Sequence, residues 1–564
     1  MKRLIVLISI LAIFLVCVKT EKGERSITGK IIYKGKQTGP VVVKLYKLRE
    51  TSEGTVNPLQ KREIYGAKES FKTKELKKSG KYSFTDLPQG HFSVLAFIDT
   101  DENGELGFDP PEPLGWYSAE MGGKYDPINL TEPGEAKADC YLRCPTPFTK
   151  EDKFTEHGSL RWRKGLPVLQ FWGTVEERGF AHGYLVGKQI LDFFEFYIIE
   201  DSWRSPVRYQ EIFVPFLENN LNCPDEFIAE CEAVIKGMKA SGTNMKLGSL
   251  GREFYLTDLL AINAYIERRA AYPVFAPSSC TQFAFWGERT KGGETNGGLI
   301  AARNMDGECD VRKVTVSHFL LFAVDPAESG RKRWVSAMWP GFVGTISGIN
   351  ENGLYSMENA GGTGSGPVVT GIVPCSWVQR LILETASNNA TPESILKLME
   401  NFKSEGGGIT TPGSIILWAV PYDNQQSPAF VFEGDRFGGV MRLPTDVRPT
   451  DPFNIMATNY HLKYGFDHEQ PSYSFGRRVS FSSLWRYEAG KNLLEAWSRQ
   501  GRQLGIDDAK RLLKTVAHGT TEYAVIFSAN DKKIFVAVDD LKTDMWDAPF
   551  MDWIEFGFDE LFEK

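Results

Sequence analysis

The rhythm of apolar and polar positions divides the chain into unlike parts. Residues 4–18 form a nearly unbroken apolar run, with Lys2 and Arg3 before it and the charged stretch 19–25 after it. About 15 apolar residues with such flanks are short for a membrane span and suit a secretory leader. Residues 1–22 are therefore expected to be a signal peptide and the protein to be exported in the bacterial manner, to the periplasm, cell surface or medium. Cys17 stands where a lipoprotein cysteine would, although Val16 is larger than the residue such a site prefers. Membrane attachment is expected only through that lipidated N-terminus.

From about 25 to 145 the apolar residues come in short runs, at 41–46, 81–84 and 91–98, with Gly, Pro, Asn and Asp between them. That spacing predicts a small antiparallel β sandwich. Residues 146–157, at the end of a Pro-, Glu- and Lys-bearing stretch that starts near 131, read as a linker. The larger region, 158–564, opens with LPVLQFWGTVEERGFAHGYLVGKQILDFFEFYI, a strand followed by a helix. Helical spacing continues at 209–219, 225–240 and 256–271. Strand-like runs follow at 281–286, 299–303, 313–324 and 333–338. Helices then return at 377–385 and 392–401, strands at 414–420 and 429–434, a helix at 507–515, and a hairpin over 523–538 turning at 529–531. Strands bracketed by helices predict an α+β fold of stacked layers.

With 564 residues the chain has room for two or three domains. Lys and Arg total 65 against 72 Asp and Glu, a net charge of −7, which argues against nucleic acid as a partner. Of the eight cysteines, seven remain without the leader, and an odd count in an exported protein points to a thiol kept for chemistry. Cys140 and Cys144 are close enough in sequence to pair or to stay free. No CxxC, HExxH, P-loop or GxSxG phrase occurs.

Two constellations carry candidate chemistry. In the N-terminal region Asp99, Asp101, Asn103, Gly104 and Asp109 read D-x-D-x-N-G-x-x-x-x-D, a cluster of hard oxygens suited to calcium. The twelfth position of an EF-hand loop would be Glu and here is Pro110, so an acidic solvated hairpin is the competing reading. In the large region a Pro-containing turn leads into Cys280, which opens a strand. A hairpin pairs that strand with one reading GLIAARNMDG, so Arg303 and Asp306 come back beside the thiol. Alone, Cys280 would read as a buried free thiol.

The phrase SGKYSFTDLPQGHFSVLAFIDTDENGELGF resembles carboxypeptidase-regulatory-like or transthyretin-like modules. Cysteine, hairpin and R-N-M-D together resemble the N-terminal nucleophile (Ntn) hydrolases. Within these the match is to the cysteine branch of penicillin acyltransferase-like amidases, with bile-salt-hydrolase-like, acid-ceramidase-like and phospholipase-B-like relatives. The likeness runs from about Leu166 to the C-terminus and leaves the N-terminal module outside.

It implies a four-layer αββα domain and a self-inflicted cut between Ser279 and Cys280. Such a cut leaves two chains associated and frees the α-amine of Cys280 as the base its thiol needs, since a thiol titrates near about 8.5. Arg303 would favour the thiolate and Asp306 would hold the amine. Asn359, after N-E-x-G-L, and Asn459, in a T-N phrase, would stabilise the oxyanion. Arg477 or its neighbour Arg478, in SFGRRVSF, would brace the site. ERGFAHG, with Arg178, Gly179, His182 and Gly183, matches a family phrase in which the histidine is structural. Ser279 stands where Gly or Asp is common. No cofactor is implied for catalysis.

The expected function is an autoprocessed amidase or acyltransferase acting on a small-molecule or lipid-like N-acyl amide through a Cys280 thioester. A phospholipase-B-like lipid amidase is the alternative, and a non-catalytic surface-binding protein with a degenerate hydrolase domain is the second alternative.

Overall fold

The computed structural model describes residues 24–51, 54–56, 70–271, 280–307, 309–362, 369–408, 414–425, 427–447, 451–464, 481–542 and 546–563. The expected leader, Ser279, Arg477 and Arg478 lie outside the described residues. Among those described, no helix is long and apolar enough to cross a membrane.

Among the described residues the N-terminal region forms two small sheets and a two-stranded ribbon, Arg49–Thr51 against Gly54–Val56. In one, β1 (Arg25–Tyr33) pairs with Gly134–Lys137, with Cys140–Leu142 and with β4 (Lys81–Phe84). The other has the order β3 (Lys72–Leu76), β2 (Val41–Lys47), β5 (Gly90–Ile98), β6 (Leu114–Trp116). Side chains alternate along a strand. Val41, Val43, Leu45, Val94 and Ala96 therefore face β1 and β4 in one core. Val42, Tyr46, Leu95 and Phe97 turn the other way and pack with Leu114, Trp116 and Val311 of the large region. Burial on both faces explains why 91–98 reads as a continuous apolar run. Arg312, beside Val311, is buried; Nη1 donates to the carbonyls of Leu114 and Arg143, both at 2.9 Å, and Nε donates to Glu200 at 2.8 Å. Cys140 and Cys144 form no disulfide.

The large region is built on two further sheets. The ten-stranded sheet begins with β7 (Lys153–Thr155), β8 (Gly158–Arg163) and β9 (Leu166–Gly173). The first of these lies inside the segment read as a linker. The sequence then crosses through α1 (Val175–Asp192) and α2 (Asp225–Ala240), and through β10 (Thr281–Phe285) and β11 (Ile300–Asp306) of the other sheet. It rejoins at β12 (Leu320–Pro326), which runs parallel to β9 with Val168 opposite Leu321. The ten-stranded sheet continues through β13 (Trp334–Met338), β14 (Ser347–Asn350), β15 (Tyr355–Ala360), β16 (Ser414–Ala419), β17 (Ala429–Asp435) and β18 (Gly438–Arg442). The six-stranded sheet has β19 (Asn454–Ala457) at one edge, then β10, β11, β20 (Thr521–Ser528), β21 (Lys533–Val538) and β22 (Ile554–Gly557).

Alternation again assigns the faces. Ala284, Ala301, Tyr523, Val525 and Phe527 join the core shared with the ten-stranded sheet. Phe283, Phe285, Ile300, Ala302 and Ile526 face the opposite way and pack with Leu494 and Trp497 of α3 (Phe481–Arg499) and Leu512 of α4 (Ile506–Thr515). On the ten-stranded sheet α1 packs through His182 against Phe171 of β9, so helices cover both sheets of a mixed α+β region.

The E-R-G-x-x-H-G phrase is structural. On α1, Gly179 and Gly183 face α2 so closely that an added Cβ would stand 2.4 Å from the Glu230 carbonyl oxygen and 1.9 Å from that of Val234. Arg178 is buried and donates to Glu328 at 2.8 Å. His182 Nε2 accepts from the Gly341 amide at 3.0 Å, and burial pushes its pKa down to about 3, so the ring is neutral.

Three sequence expectations differ from the structure. The expected strand 313–324 starts only at Leu320: Asp310 accepts the amides of Arg312, Val314 and Thr315 and turns Val314–Ser317 into a helical turn. The expected helix 256–271 is interrupted after Leu256–Asn263 and resumes at Arg268–Ala271. At the break the Asn263 side chain bonds across to Gly341 and Val343. The helix α3 is absent from the sequence reading because its buried positions are few: Ser483, Arg486, Gly490, Leu494 and Trp497.

Candidate active site

The antiparallel ladder between β10 and β11 sets Thr281 opposite Asn304 and Gln282 opposite Arg303. Cys280, one residue before this ladder, is therefore brought to the end of β11. It is buried, with Sγ 3.8 Å from Met305 Sδ and 3.8 Å from the Asp306 carbonyl oxygen. The buried Arg303 donates from Nη2 to Sγ at 3.4 Å. Its Nη1 is fixed by the Ile346 carbonyl at 2.7 Å and the Ser347 hydroxyl at 2.5 Å. Burial raises the thiol's pKa above its ordinary value; Arg303 opposes that shift, and the negative charge of Asp306 adds to it. The thiol is thus held protonated beside a buried cation.

Asp306 lies where the ladder from β11 to β20 shifts register, and its carboxylate takes the Thr521 hydroxyl at 2.5 Å on Oδ1 and His518 Nε2 at 3.1 Å on Oδ2. Asn359, on β15, is fully buried, and its Nδ2 lies 3.2 Å from the Cys280 carbonyl oxygen, 3.1 Å from that of Thr458 and 3.4 Å from that of Ala457. Its amide therefore ties β15 to the start of β10 and the end of β19 beside Cys280. Asn459 is half-buried; Nδ2 donates to the Ala360 carbonyl at 2.8 Å, which uses one of its two N–H groups.

Arg486 is a residue beside Cys280 that the sequence reading missed. It is fully buried and donates to the Cys280 carbonyl at 2.6 Å, the Thr281 hydroxyl at 2.7 Å and Asn459 Oδ1 at 3.0 Å. The arginine expected to brace the site, Arg477 or Arg478, lies outside the described residues; among those described, Arg486, on the second turn of α3, makes these bonds. Its signal is weak but legible: SSLWRYEA places an arginine one helical turn after a serine pair, on the face that carries Gly490 and Leu494.

A cavity of about 40 Å³ adjoins Cys280, with Tyr265, Arg269, Arg303, Asp306 and Glu358 in its wall. That volume has room for roughly three water molecules. Glu358 is buried, and burial raises its pKa to about 7 against the opposing pull of Arg303 and Arg269. Behind it Glu267 accepts the Cys375 amide at 2.8 Å and is raised further, to about 8, chiefly by burial.

A raised carboxyl binds its proton more tightly in the folded than in the unfolded chain. The stability from Glu267 is therefore complete below its ordinary value of 4.5 and is lost as pH rises to about 8. Glu267→Gln is expected to flatten the decline in melting temperature between pH 5 and pH 8.5. Parallel declines in wild type and variant would remove Glu267 as the cause.

In the N-terminal module the expected oxygen cluster assembles in part. Ligand atoms of Asp99, Asp101 and Glu112 lie within 4.8 Å of one another. Asp99 also accepts the amides of Asn103 and Gly104, at 3.1 and 2.8 Å. Asn103 Oδ1 is turned to the Glu105 amide, and Asp109 is exposed and outside the group. Glu112, two residues beyond the EF-hand position, takes the place the sequence reading gave to Asp109.

No family model matches the chain, and no curated protein matches it. Solved structures overlap it partially. A Caenorhabditis elegans ortholog of N-acylethanolamine-hydrolyzing acid amidase is 14% identical, over 44% of this chain and 93% of its own, with a TM-score of 0.30. A mutant of the conjugated bile acid hydrolase of Clostridium perfringens is 11% identical, over 50% of this chain and 97% of its own, also at 0.30. Penicillin V acylase of Agrobacterium tumefaciens is 13% identical, over 50% and 88%, at 0.29.

Proposed function

We propose that this chain is an exported, self-processing amidase of the Ntn type, which releases the acyl group of a linear N-acyl amide through a thioester on Cys280. The observation that carries the reading is the buried thiol at 3.4 Å from the anchored Arg303, with Asp306 fixed on the same strand end. In processing, the thiol attacks the Ser279 carbonyl, the bond to the Cys280 nitrogen breaks as sulfur takes the acyl group, and water then hydrolyses the thioester. The products are a Ser279 carboxylate and a free Cys280 α-amine.

In turnover that amine takes the thiol proton, and sulfur adds to the substrate carbonyl. The leaving nitrogen receives the proton as the C–N bond breaks. Water, deprotonated by the same amine, next attacks the thioester; the acid departs and the thiol is restored. Transfer to an amine in place of water follows the same steps. Arg303 stabilises the thiolate, Asp306 holds the amine, and the second N–H of Asn459 is available to the oxyanion. Every group in these steps belongs to the chain. The partner is a small-molecule or lipid-like acyl amide, and the two chains left by the cut stay packed together.

Intact mass and N-terminal sequencing of purified protein, followed by assay on a panel of N-acyl amides, test the reading. Chains ending at Ser279 and beginning at Cys280, with released acid, are the expected result. An uncut chain inert on every amide would overturn it.

For the module we propose that the oxygens of Asp99, Asp101 and Glu112, an all-hard-oxygen donor set, hold calcium and thereby relieve mutual repulsion. Calcium at millimolar concentration should raise the melting temperature over chelator, by mass action on the folded state. Asp101→Asn should reduce that rise, and an equal melting temperature in both buffers would leave an acidic hairpin.

A further inference from the structure

The carboxylate of Asp306 is gripped by the short segment that joins α4 to β20 together with the first residue of that strand. Its side chain is fully buried, whereas that of His518 is 15% exposed. Thr521 holds Oδ1 and His518 holds Oδ2, so the two oxygens have different donors. The segment is itself pinned. The Gly519 amide donates to Asp547 at 2.9 Å, the Gly307 amide donates to the Thr520 carbonyl at 3.0 Å, and Trp485 of α3 sets its ring edge-on to the histidine at 6.4 Å. The χ2 torsion of an aspartate is broad and roughly two-fold. A donor on one oxygen lets the carboxylate turn; a donor on each fixes its plane. Since a carboxylate only accepts, His518 must offer Nε2–H here.

Resting on the amidase reading, we propose that His518 is a positioning residue: its Nε2–H fixes the plane of the Asp306 carboxylate and so aims the remaining lone pairs at the Cys280 nitrogen. The thiol's base is that nitrogen, so its aim governs proton transfer and not substrate binding. The cysteine mechanism proposed above calls on no histidine, and this one acts a step removed from the reacting atoms.

His518→Leu should lower kcat roughly 10–100-fold, the scale for losing a partner that orients a reacting group, with KM within about twofold. His518→Gln, whose side-chain N–H reaches the same oxygen, should recover most of the loss. A folded His518→Leu protein that stays uncut while His518→Gln is cut would show the same dependence one step earlier. Should His518→Leu fail to fold, Thr521→Val removes the donor on the other oxygen and should give the same split. Wild-type kcat in folded His518→Leu, or loss in His518→Gln as deep as in His518→Leu, overturns the assignment.

Alkylation of Cys280 by iodoacetamide, read by peptide mass spectrometry, needs no substrate and separates the two ideas. A wild-type protein inert on amides defeats the amidase reading. Equal alkylation rates in wild type, His518→Leu and His518→Gln defeat the role of His518 whatever the amide assay shows.

Discussion

Cys280→Ala is expected to fold, to remain one chain, and to release no acid from any N-acyl amide. The fold should survive because the sulfur makes few directed contacts. Arg303 keeps its bonds to Ile346 and Ser347 when Sγ is gone, and the lost burial of one small side chain costs about 1 kcal/mol. Activity should not survive, because alanine offers nothing to form the thioester and nothing to attack the Ser279 carbonyl. Mass spectrometry reads the chain length, and acid release reads turnover. Wild-type turnover in Cys280→Ala would move the nucleophile elsewhere.

Arg486→Lys should be nearly as damaging, with a loss of about 10²–10³-fold in kcat, the scale for one oxyanion donor, because Arg486 holds the Asn459 side chain proposed for that role. The guanidinium serves three acceptors at once: the Cys280 carbonyl, the Thr281 hydroxyl and Asn459 Oδ1. A lysine is a point charge without the planar fork, so conserving the charge does not conserve the geometry. Asn459→Ala should lose a similar factor, and the double variant little more, because Arg486 holds the amide that Asn459 presents. Full additivity of the two losses would show that they act separately. Arg477→Ala, assayed beside them, decides whether a second arginine from 465–480 also serves the site.

The parts of the site that lie along one hairpin were legible in the sequence. Cys280, Arg303 and Asp306 are spaced so that any antiparallel turn between them brings them together, and the ladder does so. The helices at 225–240 and 507–515 and the hairpin at 523–538 were likewise readable, because their apolar positions repeat with a clean period. What failed to show were residues brought in by long-range packing. Arg486 sits on a helix with few buried positions, and the only local mark is the weak one of a serine pair one turn before it. His518 and Glu112 are single polar residues in loops, each brought to its partner by a sheet formed elsewhere. The strand expected over 313–324 was lost to one capping aspartate, Asp310, whose effect on the backbone outweighed the β-branched residues after it.

The parallel pairing of β9 with β12 joins strands from opposite sides of the proposed cut, Val168 to Leu321 through Gly173 to Pro326. The C-terminal tail returns to the same place: Gln170 donates to the Phe562 carbonyl at 2.9 Å, and Arg163 to that of Glu560 at 2.7 Å. Once the Ser279–Cys280 bond is gone, these strands belong to two molecules that share one sheet. Unfolding then ends in dissociation, and recovery becomes a second-order encounter that slows with dilution. An uncut chain would refold alone; a chain cut as proposed would persist mainly because its exit barrier is high, so its lifetime, rather than its equilibrium stability, would set how long it lasts.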